Sequence, residues 1–455
     1  MKTENLRNIL SDFPEGIAEM LRSASHPARI RVLTLLLRGE HKFSRLQRST
    51  SLSKTALANH LDQLVDRKLV DRIDRGEYDL TVFGRRLIEA VATIYSDSAL
   101  REREEQRRLS RRYAEGLSER ISSDRKVISK KIEHVSRWLS YTSAMAASLK
   151  ALGVPVDATD VGGYSGYSFL VNVAKGILSP SGPTALSMGA WKELIRGTES
   201  LGWTLERCKY PHSYPTREGS PTPKEMEVAR RLFGKIKKEI DEKDRPVVLW
   251  GTFVPVYGVV NGYEGESYIT SEFRDGRNVE KLLPFHDLKA PGHIDAFFFR
   301  NKIARDRGKE SVVALGRAVA FAAARVPILD GYVAGPRALD EWADTLANSG
   351  QGDQDYMGNS YVGMCVAEGR SMCSDFLKRL INQFHWNHSE DLRKAAEHYQ
   401  ESAKLMEEFT EIFPFKYQGK MNLKDRRRGA EILRNVGVKE QEAVKQMDEV
   451  LDIAL

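Results

Sequence analysis

Leu52-Ser53-Lys54-Thr55-Ala56-Leu57-Ala58-Asn59-His60-Leu61-Asp62-Gln63-Leu64-Val65 reads as a helix that carries its own start signal. Ser53 suits the N-cap, where a side-chain oxygen accepts from a free backbone N–H of the first turn. Leu52 before it can pack on Leu57 as a hydrophobic staple. Leu57, Leu61, Leu64 and Val65 then fall on one face at helical spacing. The opposite face carries Lys54, Thr55, Ala58, Asn59 and Asp62, which are short or polar. A helix that enters the major groove needs such a face, small enough to approach and able to hydrogen-bond base edges. An ordinary surface helix can show the same pattern, so the neighbours decide.

Upstream, an amphipathic helix is expected around Ile17–Leu21. A second runs from Pro27, a residue suited to the first turn, with Ile30, Leu33, Leu36 and Leu37 as its buried stripe and Gly39 as its end. A short helix over Phe43–Arg48 precedes the quoted stretch. Downstream, Leu69–Ile73 and Glu77–Leu80 read as strands flanking the turn Asp74-Arg75-Gly76. Thr81 then caps a last helix through Arg85, Leu87, Ile88 and Val91.

That order is the winged-helix order, and His26 to about Tyr95 resembles the ArsR-type winged-helix transcriptional regulators. The resemblance rests on His26-Pro27-Ala28-Arg29-Ile30-Arg31-Val32-Leu33, Ser53 to Leu61, Leu69-Val70 before the wing, and Leu80-Thr81 with Gly84 after it. It implies that Lys54, Thr55, Ala58 and Asn59 face the major groove of double-stranded DNA, with Arg72 and Arg75 on the wing near phosphates. Many ArsR regulators sense metals through cysteines, and this segment has none, so no metal site is expected. His26, His41 and His60 read as isolated histidines. A winged helix used only for protein contacts is the competing reading.

The whole chain of 455 residues is 41% hydrophobic and 29% charged with a net charge of +7, which is ordinary for a soluble protein of several domains. Cys208, Cys365 and Cys373 form no disulfide framework and no paired metal motif. No apolar run reaches the roughly 18 residues that suggest a membrane span, and Met1–Asn5 opens no signal peptide. A cytoplasmic protein is therefore expected. Arg101 to Lys131 holds eleven Lys/Arg against six Asp/Glu. A solvated helical linker that also joins or dimerises is the reading of that run.

Beyond the linker, Asp160-Val161-Gly162-Gly163-Tyr164-Ser165-Gly166-Tyr167-Ser168-Phe169 is glycine-rich and aromatic but fits no dinucleotide or phosphate-loop pattern. Helices are expected around Trp191–Ile195 and over Lys224–Ile240, and strands at Leu201–Arg207, Pro246–Gly251, Tyr257–Tyr263, Ser267–Thr270 and Ala296–Phe299. This order resembles the N-terminal domain of butirosin-biosynthesis protein H, a papain-like, bacteriocin-leader-peptidase-type fold. Leu149–Gly153, Gly162–Phe169, Val247–Trp250 and Tyr257–Tyr263 carry it. Tyr332–Trp342, Asn359-Ser360-Tyr361, Glu368-Gly369-Arg370, Phe376-Leu377 and Ala395–Tyr399 resemble the helical companion region.

The resemblance implies a thiolate early in a helix and a histidine base on a central strand. Trp138-Leu139-Ser140-Tyr141-Thr142-Ser143 has no cysteine, and the strand position reads Tyr257, so no catalytic residue and no cofactor is expected. A ligand cleft walled by Tyr164, Tyr167, Trp250, Tyr257 and Tyr263 remains. From about Lys420 the chain reads as a charged helix, free to dock on its own domain or pair with another subunit.

The expected fold is multidomain α+β. Residues 1–92 form a winged helix-turn-helix domain and 93–134 a charged helical linker. Residues 135–310 form a degenerate papain-like α+β domain, and 311–455 a helical region packing on it. The expected function is a DNA-binding transcriptional regulator, a homodimer, whose large domain senses a small-molecule effector. The alternatives are an enzyme of acyl or amide transfer localised by its winged helix, and an interaction scaffold built on the long charged helices.

Overall fold

Ser53 accepts from the backbone N–H of Ala56 at 3.2 Å, and the helix it caps runs over Lys54–Asp66. The computed structural model describes residues 10–50, 52–96, 124–178, 185–212, 221–274, 277–348, 353–383, 389–415 and 419–454. Residues 97–123 of the expected linker lie outside them. The chain divides into two units, Met1–Ile121 and Ser122–Leu455. It is a mixed α/β protein with more than one sheet and a helical C-terminal region.

The first unit runs α1 (Pro14–Ala24), α2 (Pro27–Leu36), β1 (His41–Lys42), α3 (Phe43–Thr50), α4 (Lys54–Asp66), β2 (Val70–Asp74), β3 (Glu77–Leu80) and α5 (Val82–Ser96). Its core gathers Val32, Leu33, Leu36, Leu46, Leu57, Leu61, Leu64, Leu69 and Leu87. The expected stripe of α2 is displaced. Ile30 is 37% exposed and Val32 fully buried, because the helix meets α3, α4 and α5 together rather than along one seam. Strand β1, absent from the expected elements, pairs with β3 through His41↔Tyr78. Thr81 caps α5 by accepting from Gly84 N–H at 2.8 Å. Gly84 is required there, since a Cβ would sit 2.0 Å from the Leu69 carbonyl oxygen.

The second unit is built on an antiparallel sheet with the order β10-β9-β8-β7-β11-β6, and β4 (Arg125–Val127) pairs with β8 beyond the end of β7. The strands are β6 (Trp203–His212), β7 (Val247–Trp250), β8 (Tyr257–Glu264), β9 (Ser267–Arg274), β10 (Arg277–Pro284) and β11 (Gly292–Lys302). Helices α6 (Ser140–Ala151) and α8 (Met188–Glu199) cover one face, and α9 (Pro223–Lys243) covers the other. The alternation of β11 shows this directly. Phe297 meets Tyr141 and Trp191, whereas Phe298, pointing the other way, lies under Lys235 of α9. Thr222 and Glu225 form a capping box at the start of α9, with Pro223 in its first turn.

The glycine-rich stretch is α7 (Ala158–Ser165), started by an Asp157/Asp160 capping box and ended by Gly166 at φ +81°. Gly163 lets it approach Phe376, whose ring carbon would lie 2.1 Å from a Cβ. A short pair joins β5 (Asn172–Ala174) to β12 (Tyr332–Ala334). The remaining helices are α10 (Arg307–Ala322), α11 (Pro336–Asn348), α12 (Asp353–Gln383), α13 (Ser389–Ile412) and α14 (Leu423–Ala454). Ile432, Leu433, Val436, Met447 and Val450 of α14 are buried within this unit. One hydrophobic core from Ile128 to Val450 joins the sheet to α10, α12, α13 and the end of α14, and a second holds α11 with α13 and the first half of α14.

Arg370 of α12 and Glu440 of α14 are 0% and 1% exposed and form a two-pronged ion pair. The same guanidinium donates to the carbonyls of Ser168 and Leu170 at 2.9 and 3.0 Å, clamping the turn after α7.

Candidate functional site

In the first unit α4 follows closely on α3 in the chain and buries Leu57, Leu61 and Leu64. Lys54, Thr55 and Asn59 are exposed on its outer face, and Ala58 is half-buried. Arg72 and Arg75 are exposed on the β2–β3 hairpin, Arg75 at its tip. Arg72 stacks 5.9 Å from the centre of the Tyr78 ring. Lys54, Arg72 and Arg75 form no ion pair with any described residue. The hairpin also carries acid: Asp71 and Asp79 face each other in register, and Glu77 pairs with Lys42 at 3.5 Å. Like charges opposite one another repel, so the tip arginine is the hairpin's best-placed cation for a phosphate.

Helix α4 is braced from below. Arg67 pairs with Glu19 of α1, and Arg29 of α2 donates to Gln63. The rings of His26 and His60 lie 4.6 Å apart. Burial, then the neighbouring His26 and Arg29, lower the His60 imidazole below its usual range. His26 also caps α2, its Nδ1 accepting from Ala28 N–H at 3.1 Å. His41 is buried, with its Nδ1 between the Gly39 and Glu40 carbonyls. The sequence marked these three only as isolated residues. Among the described residues no group of three or more His, Cys, Asp or Glu side chains is arranged to hold a metal.

In the second unit Ser140 opens α6 and its Oγ accepts the Tyr257 backbone N–H at 3.1 Å. The Tyr257 hydroxyl donates to Asp295 at 2.9 Å, and Arg207 grips the same carboxylate through Nε at 2.9 Å and Nη2 at 2.6 Å. Asp295 is fully buried, and Arg207 stacks 4.1 Å from the Trp191 ring centre. Burial and the Asp295 charge push the Tyr257 phenol well above its usual range. Such a hydroxyl donates and takes no proton at neutral pH.

Tyr167, Tyr257 and Trp250 belong to one aromatic cluster around Tyr141, with Tyr167 and Tyr257 5.7 and 5.5 Å from Tyr141 and Trp250 4.9 Å from Tyr257. Trp250 is half-buried, and its indole N–H has no hydrogen-bond partner among the described residues. Tyr164 and Tyr263 lie elsewhere. The first packs on Phe376 and reaches Ser311 at 3.3 Å, and the second donates to Asp241 at 2.9 Å. The described pocket, about 420 Å³, is lined by none of these five aromatics. Its wall runs from Glu133 through α6 to the start of α7 and includes Ser143 and Lys150. Hydrogen bonds from Lys131 and Lys150 hold the Glu133 carboxyl down to about 2. Arg379 binds Asp157 and Asp160 at 2.8 and 2.9 Å on the opposite side. The three cysteines are free and buried.

Residues 15–103 match the family model of the HVO_A0261 N-terminal domain. The match begins within α1, extends past the end of α5, and covers less than half of the chain. No curated protein matches the chain.

Proposed function

We propose that this protein is a transcriptional regulator that binds double-stranded DNA through a winged helix and answers to a small molecule held in its larger unit. The observation that carries the reading is the outer face of α4. Lys54, Thr55 and Asn59 stand exposed on a helix whose other side is anchored by three leucines, and the nearby charges of Lys54, Arg72 and Arg75 are unspent. The order of helices, the capped α4 and the hairpin support the winged-helix reading. Asn59 is the side chain suited to a bidentate adenine contact, and Arg75 to a phosphate.

A homodimer follows from the same reading, because one such helix reads few base pairs and two-fold pairing reads two half-sites. Leu21 of α1 and Val82, Ile94 and Tyr95 of α5 are exposed apolar residues suited to that pairing. No helix among the described residues is long and apolar enough to cross a membrane, and a cytoplasmic site of action fits DNA as the partner. The papain-like reading of the sheet with α6 is supported by a helix start placed against a central strand. On that reading the helix start Trp138 to Ser143 offers no cysteine and the strand offers Tyr257 in place of a histidine, so peptidase chemistry is not part of the proposal. An effector regulates only if the DNA-competent and DNA-incompetent forms bind it with different affinity, and the coupling acts in both directions.

The experiment is a salt series of gel-shift or anisotropy titrations with the full chain and the DNA upstream of its own gene. Sequence-preferring binding that weakens steeply with salt is expected. Absence of DNA binding at low salt by a folded, full-length chain sinks the reading.

A further inference from the structure

Ser143 sits one turn into α6, 5% exposed, on the wall of the pocket. Its hydroxyl donates to the Ser140 carbonyl at 3.1 Å and lies 3.4 Å from Nε2 of His134, within hydrogen-bond range. His134 is 4% exposed and lies behind the serine. The imidazole ring also hydrogen-bonds the backbone of Ser271 on β9, and the Glu272 carboxylate acts on it from the same strand. Burial outweighs both and keeps the ring below its ordinary pKa of 6.5. His134 is therefore neutral at pH 7 and able to take a proton. A serine facing a pocket, a neutral imidazole at hydrogen-bond range behind it, and a third group orienting that imidazole are the parts of a nucleophilic serine site. Ser140 lacks the second part, since its Oγ meets a backbone N–H and no base.

We propose that Ser143 is a nucleophile with His134 as its base, and that the pocket accepts a small carboxylic ester. Ala146, Ala147, Pro155 and Val156 give the acyl chain an apolar wall, and about 420 Å³ admits only a short one. As Ser143 Oγ bonds to the ester carbonyl carbon, its proton passes to His134 Nε2 and the C=O electron pair moves onto oxygen. Collapse breaks the bond to the alcohol oxygen, which leaves with the proton from His134. A water molecule then attacks the acyl-serine, His134 takes its proton, and the carboxylic acid departs as Ser143 recovers its hydrogen. Ester and water give acid and alcohol, with no other reactant. The inference does not depend on DNA binding, and DNA titration of the same preparation reads that function separately.

The test treats the full chain with a fluorophosphonate probe, which forms an Oγ–P bond with loss of fluoride, and maps the adduct by peptide mass. In parallel, p-nitrophenyl butyrate hydrolysis is followed. One adduct on Ser143 is expected, lost in Ser143→Ala and kept in Ser140→Ala. His134→Gln should slow labelling and hydrolysis by about 100-fold. The wild-type rate should rise with pH through a midpoint below 6.5, as the imidazole loses its proton. No adduct on Ser143 in a chain shown folded by circular dichroism overturns the proposal. So does equal labelling of a folded His134→Gln. Should that variant not fold, His134→Asn is labelled in its place, and an adduct that forms on its Ser143 as fast as in the wild type overturns it.

Discussion

The outer face of α4 and the centre of the large sheet both collect polar side chains, and they use them in opposite ways. At the sheet centre the buried ion pair is spent internally. Arg207, Asp295 and Tyr257 satisfy one another, and deeper in the unit Arg370 and Glu440 do the same. On α4 and the hairpin, Lys54, Asn59 and Arg75 are held in place by apolar residues beneath them and leave their own hydrogen-bonding groups to solvent. A buried charge without its partner is strongly destabilising, whereas an exposed one has little effect on stability. Change at the first site should therefore register in folding, and change at the second in binding.

The largest effect expected is from Glu440→Ala. It strands the Arg370 guanidinium at 0% exposure, with only the two carbonyls of the turn as partners. A loss of about 3–5 kcal/mol is expected for the second unit, read from urea unfolding. Glu440→Ala with Arg370→Met should recover much of it, because a matched apolar pair carries no desolvation cost. A single variant as stable as wild type would mean that the pair is not buried in solution.

Asn59→Ala tests the other side of the comparison. Its side chain is exposed and makes no hydrogen bond among the described residues, so the unfolding curve should not move. If Asn59 makes a bidentate base contact, discrimination at one base pair should fall by about 1–3 kcal/mol. Competition titrations against single-base operator variants measure it. A destabilised fold with unchanged discrimination would place Asn59 with the sheet-centre residues and break the contrast.

What the sequence made legible follows the same division. The Ser53 cap, the leucines of α4 and the Asp74-Arg75-Gly76 turn are local signals, and each stands in the structure where the spacing put it. The strands Val247–Trp250 and Tyr257–Glu264 were legible as apolar runs. The pairs that fill the second unit were not, because they depend on register and distant packing. Arg207 and Asp295 meet only because β6 and β11 are neighbours in one register. Arg370 and Glu440 are 70 residues apart on two helices that both look solvated in sequence. Strand β10 was missed for want of alternation, since Arg277-Asn278-Val279-Glu280-Lys281 is mostly polar. The five aromatics looked alike in sequence, and only three share a cluster. His134 and Ser143 are near in sequence, yet the irregular segment between β4 and α6 offers no period from which to infer their approach.

A smaller effect is the pH dependence of the second unit. Burial, as the leading cause, lowers both His134 and His293 below 6.5. An imidazole with a folded pKa below its unfolded value binds fewer protons when folded between the two values. Its contribution is fully present above about pH 6.5 and is lost as the pH falls toward the folded value. The urea midpoint should thus drop between pH 7 and 5, with a slope of at most about 1.4 kcal/mol per pH unit for each histidine. Glu133 and Glu206, both held down to about 2, titrate below this window. His134→Gln should flatten the slope and leave the part due to His293. A midpoint that rises on acidification would show that these rings are charged in the folded protein, against the burial that the sheet imposes.

The smallest effect is expected from Arg75→Ala, and it is the sharpest test of what an unspent charge is for. Arg75 occupies the hairpin tip, and Asp74 is occupied by the Arg75 backbone N–H at 2.7 Å rather than by its guanidinium. Its neighbours on the hairpin, Asp71 and Asp79, repel phosphate, so the tip is where a duplex backbone can come close. One phosphate contact removed should lower the slope of log affinity against log salt by about 1. The loss should be the same for operator and unrelated DNA, since phosphates carry no sequence information. Unfolding should be unchanged. If the loss depends on sequence, Arg75 reads a groove edge instead. If the slope does not change at all, the hairpin stays off the DNA and α4 alone carries the binding.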